Sequence, residues 1–209
     1  MQIYTAGVLL AGGRSSRMGE NKALLRINGL SAAAHTLRSL RVTDEQLCIA
    51  NEAALKQELD IPVFADKRPF EGPLAGLETA MEQTQAVWCI AAACDMPLIS
   101  EYIVKLLVQR AAKTNADAVV PEADGRRQPL LAAYRCSLLP LVTACLDEEK
   151  RSMGALLDSI KVDTVSEADM MEAGIKKETI TQSFFNMNRP DEYKWIRRRA
   201  EAEGDVTDE

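Results

Sequence analysis

A chain of 209 residues, 47% apolar and 27% charged, is long enough for one large domain with a real core. Its net charge of −6 gives no basic footprint for nucleic acid, and no apolar run approaches the roughly 18 residues of a membrane span. The five cysteines (Cys48, Cys89, Cys94, Cys136 and Cys145) include no C-x-x-C pair, so they read as free thiols of a cytoplasmic protein rather than a disulfide framework or a zinc site.

No basic region precedes the first apolar stretch, so no secretory signal is expected. That stretch, residues 3–10, predicts a buried strand. It runs into Ala11, Gly12 and Gly13, then a polar and basic loop ending at Lys22. Further short apolar runs at 47–50, 62–65, 87–93 and 118–121 predict buried strands. The segments between them, 32–41, 52–58, 74–83 and 101–114, carry helical periodicity. Ser100 suits an N-cap, and Asn115 lies beyond the last turn of that helix. This alternation predicts an α/β fold, a mostly parallel sheet with helices on both faces. Asp124-Gly125 is a turn signal, 129–134 a further strand, and 138–147 and 155–160 two more helices, with a last helix starting near Pro190. Residues 1–200 read as a single domain and 201–209 as an acidic, frayed tail.

Ligands gather at the carboxyl ends of strands in such a sheet. Three segments with chemical content fall there: 12–22, 66–76 and 95–97. Gly12 and Gly13 allow a sharp turn and a close backbone approach, so that loop N–H groups form an anion-binding nest. Arg14, Arg17 and Lys22 add positive charge suited to a triphosphate. The pattern is neither a P-loop nor a dinucleotide fingerprint. By themselves two glycines would make only a tight turn; with three nearby cations they point to phosphate.

Asp95 ends the apolar strand 88–94, with Pro97 turning the chain. A carboxylate there suits Mg²⁺ held together with substrate phosphates, the plainer alternative being an Asx turn. Gly72 and Pro73 precede a helix whose N-terminus could offer N–H groups to a ligand. Asp66 follows a strand and could accept from a sugar hydroxyl or a base, or simply serve a turn. Asn186 and Asn188 occupy alternate positions of a short apolar segment, on one side of an extended chain. His35 is the only histidine and reads as structural, which leaves a histidine-based triad without support. Met170, Met171, Trp195 and the arginines at 197–199 read as core and solvated helix faces.

Leu10-Ala-Gly-Gly13, Arg17-Met-Gly19, Lys22, Gly72-Pro-Leu-Ala-Gly76, Cys94-Asp-Met-Pro97 and Asn186-Met-Asn188, with Pro190 beyond, follow one another in a recognisable order. In these motifs the chain resembles the molybdenum cofactor guanylyltransferases, the MobA family, over almost its whole length. The glycine–arginine–lysine part resembles nucleotidyltransferases at large; the later motifs narrow it. The resemblance implies a Rossmann-like nucleotidyltransferase fold. It implies Mg²⁺-dependent transfer of GMP from GTP to the molybdopterin cofactor, with release of pyrophosphate. Carried over by motif, Lys22, Asp95 and Arg17 are the catalytic candidates, with Asp95 the metal ligand. Leu10, Ala11, Gly12, Gly13, Lys22, Asn51, Asp66, Gly76 and Asp95 would bind the nucleotide, and Asn186 and Asn188 the pterin side. Proteins that donate molybdopterin and apo-molybdoenzymes that receive the product are the implied transient partners, with no nucleic acid or membrane among them. Two positions depart from the family pattern: Asn51 is followed by Glu52 rather than Arg, and Gln128 stands where many members have His. A molybdopterin cytidylyltransferase, another nucleotidyltransferase of this fold, and a non-catalytic nucleotide-binding protein are the competing readings.

Overall fold

The computed structural model describes residues 3–12 and 21–204. In chain order these residues form β1 (Thr5–Leu10), a hairpin of β2 (Arg26–Ile27) and β3 (Leu30–Ser31), α1 (Ala32–Ser39), β4 (Glu45–Ile49), α2 (Ala53–Glu58), β5 (Val63–Phe64), α3 (Pro73–Glu82), β6 (Trp88–Ala93) and α4 (Glu101–Ala111). There follow β7 (Ala118–Ala123), β8 (Arg126–Arg127), β9 (Leu131–Arg135), α5 (Leu139–Asp147), α6 (Met153–Leu157), β10 (Val162–Val165), α7 (Glu167–Glu172), α8 (Lys177–Ser183) and α9 (Pro190–Gly204). The last helix therefore continues four residues past the expected boundary at 200.

The main sheet has the order β10-β7-β9-β6-β1-β4-β5, with β8 paired to β7. Strands β5, β4, β1 and β6 are mutually parallel. Strand β9 runs against both β6 and β7, while β10 is parallel to β7. The expected mostly parallel sheet is thus present, with β9 and the short β8 as its antiparallel members. Because β1 lies between β4 and β6, the connections leave it in opposite directions. This opens a crevice at the carboxyl ends of the central strands.

Strand alternation divides the core into two layers. Leu9, Ile90 and Ala92 face α1, α2 and α4 through Leu37, Leu55 and Ile103. Val8, Leu10 and Ala91 face α3, α5 and α6 through Leu74, Leu77, Val142 and Leu156. Helices on both faces follow from central strands, β1 and β6, that are buried at every position. Each fully buried Leu or Ile contributes about 1.5–3 kcal/mol. Gly7 in β1 has a packing role: a Cβ there would lie 2.7 Å from Thr43 Oγ1 and 2.9 Å from Leu40 Cβ.

Local signals explain several boundaries. Ser31, Ser100 and Ser152 cap α1, α4 and α6 by accepting from Ala34, Tyr102 and Ala155 N–H groups. The Ser152 cap is why α6 starts at Met153 and not at 155. Asn28-Gly29 and Asp124-Gly125 all take positive φ and form the two-residue turns of β2–β3 and β7–β8. The extended segment expected at 184–188 pairs with no strand among the described residues. Phe184 closes the C-terminus of α8, and Met187 is buried with its N–H donated to the Asp95 carbonyl at 2.8 Å. A third, smaller apolar cluster explains this path. Met187 packs with Ile27 of the hairpin and Ile196 of α9, so the chain is drawn back across the start of the domain. The Tyr193 hydroxyl, donating to the Arg26 carbonyl at 2.6 Å, fixes α9 on the same hairpin.

Candidate active site

A cleft of about 550 Å³ opens at the carboxyl ends of β1, β4, β5 and β6. Its floor is the end of β1: Leu10, Ala11 and Gly12. The neighbouring strands hold this floor in register, since Ala11 N–H donates to the Ile49 carbonyl at 2.9 Å and Cys94 N–H to the Leu10 carbonyl at 3.1 Å. Gly76 on α3 approaches β1 so closely that a Cβ would meet Leu10 Cδ2 at 3.1 Å. The absence of a side chain at Gly76 keeps this wall flat.

One end of the cleft is charged. Asn21 caps a short helical turn by accepting from Ala23 N–H, and Lys22 opens that turn. Lys22 Nζ donates to Asn188 Oδ1 at 2.7 Å, joining positions 166 residues apart. Asn188 is set by Glu192, which accepts from the backbone N–H groups of Asn188 and Arg189 at 2.6 and 2.8 Å. Asp95 stands in the turn after β6. Burial raises its carboxyl above the usual aspartate range; the Lys22 charge and a backbone N–H pull it down, and Glu192 pushes it up. Its Oδ1 is buried without a hydrogen-bond partner among the described residues. Burial also raises the adjacent Cys94 thiol, which favours its protonated form.

The other end is apolar around one carboxylate. Asp66 is buried, and burial raises its carboxyl despite N–H and hydroxyl groups from Arg68 and Thr79. Its Oδ1 accepts from Arg68 N–H at 3.0 Å, and its own N–H donates to Asn51 Oδ1 at 3.0 Å. Arg68 in turn pairs with the fully buried Glu78 on α3 at 2.9 Å and with Asp147 on α5 at 2.7 Å. Phe70, at φ 68°, and Gly72, at φ 93°, complete the loop into α3, with Pro73 in its first turn as the sequence predicts.

The expected nucleotide-binding residues Leu10, Ala11, Gly12, Lys22, Asp66, Gly76 and Asp95 all line this one cleft. Asn51 does not line it; the side chain braces Asp66 from behind. Asn188 reaches the site through Lys22. Asn186 is exposed, and its amide reaches only the Phe184 carbonyl at 3.4 Å. The expectations for Gly13 and Arg17 lie outside the described residues. Gln128 donates its side-chain amide to the Ala123 carbonyl at 3.4 Å. His35 is structural, with Nε2 2.7 Å from the Ile27 carbonyl. Ile49, Phe70 and Leu130 also line the cleft and were not singled out from sequence. The first and last lie within apolar runs that look like any other core, and Phe70 lies inside a loop already flagged for its glycine.

Among the described residues, no group of three or more His, Cys, Asp or Glu side chains is placed to hold a metal. A single carboxylate with a spare buried oxygen nevertheless fits a hard cation that arrives with phosphates and keeps most of its other ligands.

The MobA-like NTP transferase domain model matches residues 7–164. A Bacillus cereus protein named "Probable molybdenum cofactor guanylyltransferase" is 35% identical over 194 residues, covering 90% of this chain and 93% of its own. A Bacillus anthracis protein of the same name is 36% identical with the same coverage. Molybdopterin-guanine dinucleotide biosynthesis protein A from Archaeoglobus fulgidus shares the fold with a TM-score of 0.81 at 21% identity, over 94% of this chain and 99% of that one. CMP:2-keto-3-deoxy-manno-octonic acid synthetase, complexed with CTP, shares it at 0.74 and 15% identity, over 96% and 99%. Matched by that model over residues 7–164 and by these relatives over 90% of its length, the chain belongs to the MobA-like family of nucleotidyltransferases.

Proposed function

We propose that this protein transfers GMP from GTP to molybdenum-loaded molybdopterin, forming molybdopterin guanine dinucleotide and releasing pyrophosphate. The observation that carries the reading is the convergence of Lys22 and the unpartnered Asp95 oxygen at one end of the cleft whose other end is apolar and closed by Asp66. The names of the Bacillus relatives support the same substrates.

In the reaction, a terminal phosphate oxygen of molybdopterin forms a bond to the α-phosphorus of GTP. The bond from that phosphorus to the oxygen bridging to the β-phosphate breaks, and the electron pair leaves with pyrophosphate. The nucleophile is already an anion, so no general base is needed. What the protein must supply is alignment and charge. Lys22, held by Asn188, and the backbone at Gly12 position the triphosphate. On the sequence pattern alone, Gly13 and Arg17 are assigned to the triphosphate as well. Asp66 receives the guanosine portion, and Asn186 and Asn188 lie toward the pterin. Asp95 would hold Mg²⁺, which would supply charge neutralisation to the phosphates. The setting is the cytoplasm, where proteins that donate and accept the cofactor meet the enzyme only transiently.

The test is pyrophosphate release with Mg²⁺ and molybdenum-loaded molybdopterin, comparing GTP with CTP, ATP and UTP. Release with GTP alone is expected. Release with CTP alone would make the protein a cytidylyltransferase, and a folded protein that binds GTP without any release would make it a non-catalytic binder.

A further inference from the structure

We propose that the ring of Phe70 is the stacking surface for the substrate's nucleobase, an assignment that rests on the nucleotide reading of the cleft. Phe70 combines three properties that seldom meet in one residue. Its side chain is 60% exposed, its φ is 68°, and it lines the cleft. A bulky residue in the left-handed region is a genuine outlier, and an exposed large ring gains little from core packing. Backbone outliers of this kind cluster at ligand sites because the surrounding structure holds them in place.

That surrounding structure is visible. The Arg68 backbone N–H is tied to Asp66, and its guanidinium to Glu78 and Asp147. Glu71 N–H donates to the Arg68 carbonyl at 3.2 Å, and the Glu71 carboxylate lies 3.6 Å from Arg151. Gly72 then takes a φ/ψ of 93° and −177°, a conformation that is essentially glycine-only. The ring is therefore presented by a frame anchored on α3 and α5.

The local chemistry selects the occupant. Leu10, Ile49 and Pro73 give the cleft apolar lining between β1, β4 and α3, and Gly76 leaves its wall flat. Asp66 adds one buried acceptor beside it. A flat group with two apolar faces and a hydrogen-bonding edge matches that combination, and a nucleobase is such a group. Phe70 and Asp66 share the β5–α3 loop. Sharing that loop with the carboxylate that receives the nucleoside assigns the ring to the nucleotide and not to the pterin.

Equilibrium binding to the full chain, measured by calorimetry without acceptor, tests the assignment. The variants are Phe70→Ala, Phe70→Gly and Phe70→Tyr, and inorganic tripolyphosphate is the base-free probe. Ala and Gly should weaken GTP binding about tenfold, Tyr should restore it, and tripolyphosphate should bind all four proteins alike. Phe70→Gly should also melt above Phe70→Ala, because glycine accepts the positive φ. Equal GTP binding by wild type and Phe70→Ala would overturn the assignment and leave guanylyl transfer standing. So would unchanged GTP binding with weakened molybdopterin binding. A wild type that prefers CTP, with Phe70→Ala weakening CTP instead, would overturn guanylyl transfer and leave the stacking role standing.

Discussion

The two carboxylates of the cleft, Asp66 after β5 and Asp95 after β6, sit at equivalent strand ends and are both lifted by burial. Their surroundings differ. Asp66 is satisfied from within: it takes the Arg68 N–H, and Asn51, Thr79 and the Arg68–Glu78 pair hold the loop around it. Among the described residues, Asp95 faces one positive group, Lys22, and keeps one buried oxygen without a partner. A carboxylate satisfied by its own chain is a finished recognition surface. One left with a spare oxygen is completed only by what the substrate brings, so its loss should fall on the chemistry and not on the fold.

The sharpest way to break this contrast is Asp95→Ala. Turnover should fall by about 10³-fold or more, on the order of 4 kcal/mol in the barrier, with an unchanged far-UV spectrum and cooperative melting. Asp66→Ala should instead act mainly on nucleotide affinity. A folded Asp95→Ala protein with a near-normal rate would remove Asp95 from the chemistry.

The next largest effect belongs to the Asp66 side and to stability. Arg68→Ala leaves Glu78 as a fully buried charge with, among the described residues, the Thr143 hydroxyl donating to it at 2.8 Å. The expected loss is about 3 kcal/mol in denaturant unfolding. Arg68→Met, which also removes the guanidinium, should be similarly destabilising, and adding Glu78→Gln should recover part of the loss. If Arg68→Ala unfolds at the wild-type midpoint, the Asp66 loop is not held as described.

These two ends were not equally legible in the sequence. The strands and their mostly parallel arrangement followed from short apolar runs alternating with helical segments; Gly12 and Asp95 stood out because they end such runs, and Lys22 as a cation of the loop after the first. The Lys22–Asn188 contact could not be read, because nothing local links positions 166 residues apart; α9 folding back on the hairpin creates it. Asn51 carried a binding expectation, and its Oδ1 accepts from the Asp66 backbone N–H, a bond that β4–β5 pairing sets up and no local signal announces. The alternation around Asn186, Met187 and Asn188 looked strand-like because Met187 is buried between two outward amides, although no strand lies alongside among the described residues. Some misses had a signal. Asn28-Gly29 is a hairpin turn by composition, and Ser166 with Asp169 forms a capping box that announces α7. Strand β10 did not, since Val162–Val165 is only partly apolar and gains its place by pairing with β7.

A smaller effect tests the electrostatics of Asp95 directly. Its carboxyl is raised by burial, so the protonated form favours the fold. That contribution is fully present below the usual aspartate value of 3.8 and is lost as pH rises through the higher folded value. At neutral pH the ionised group therefore destabilises the ligand-free protein. Asp95→Asn should melt above wild type at pH 7, by about 1 kcal/mol, and the gap should close as the solution is brought below about pH 4. A gap that widens on acidification would reverse the assignment.

The smallest effect concerns how Lys22 is aimed. Its Nζ donates to Asn188 Oδ1, and Asn188 is in turn set by Glu192. Asn188→Ala removes one hydrogen bond to a charged group and frees a long side chain, so kcat/KM for GTP should drop about five- to tenfold. Asn186→Ala should leave GTP binding unchanged, since that exposed amide has only a long contact to the Phe184 carbonyl. The decisive comparison is the double-mutant cycle. If Asn188 works by positioning Lys22, Asn188→Ala should add almost nothing once Lys22 is Ala, because the interaction it serves is already gone. Fully additive losses would show that Asn188 meets the substrate by itself and that the aspartate end of the cleft is assembled from independent parts.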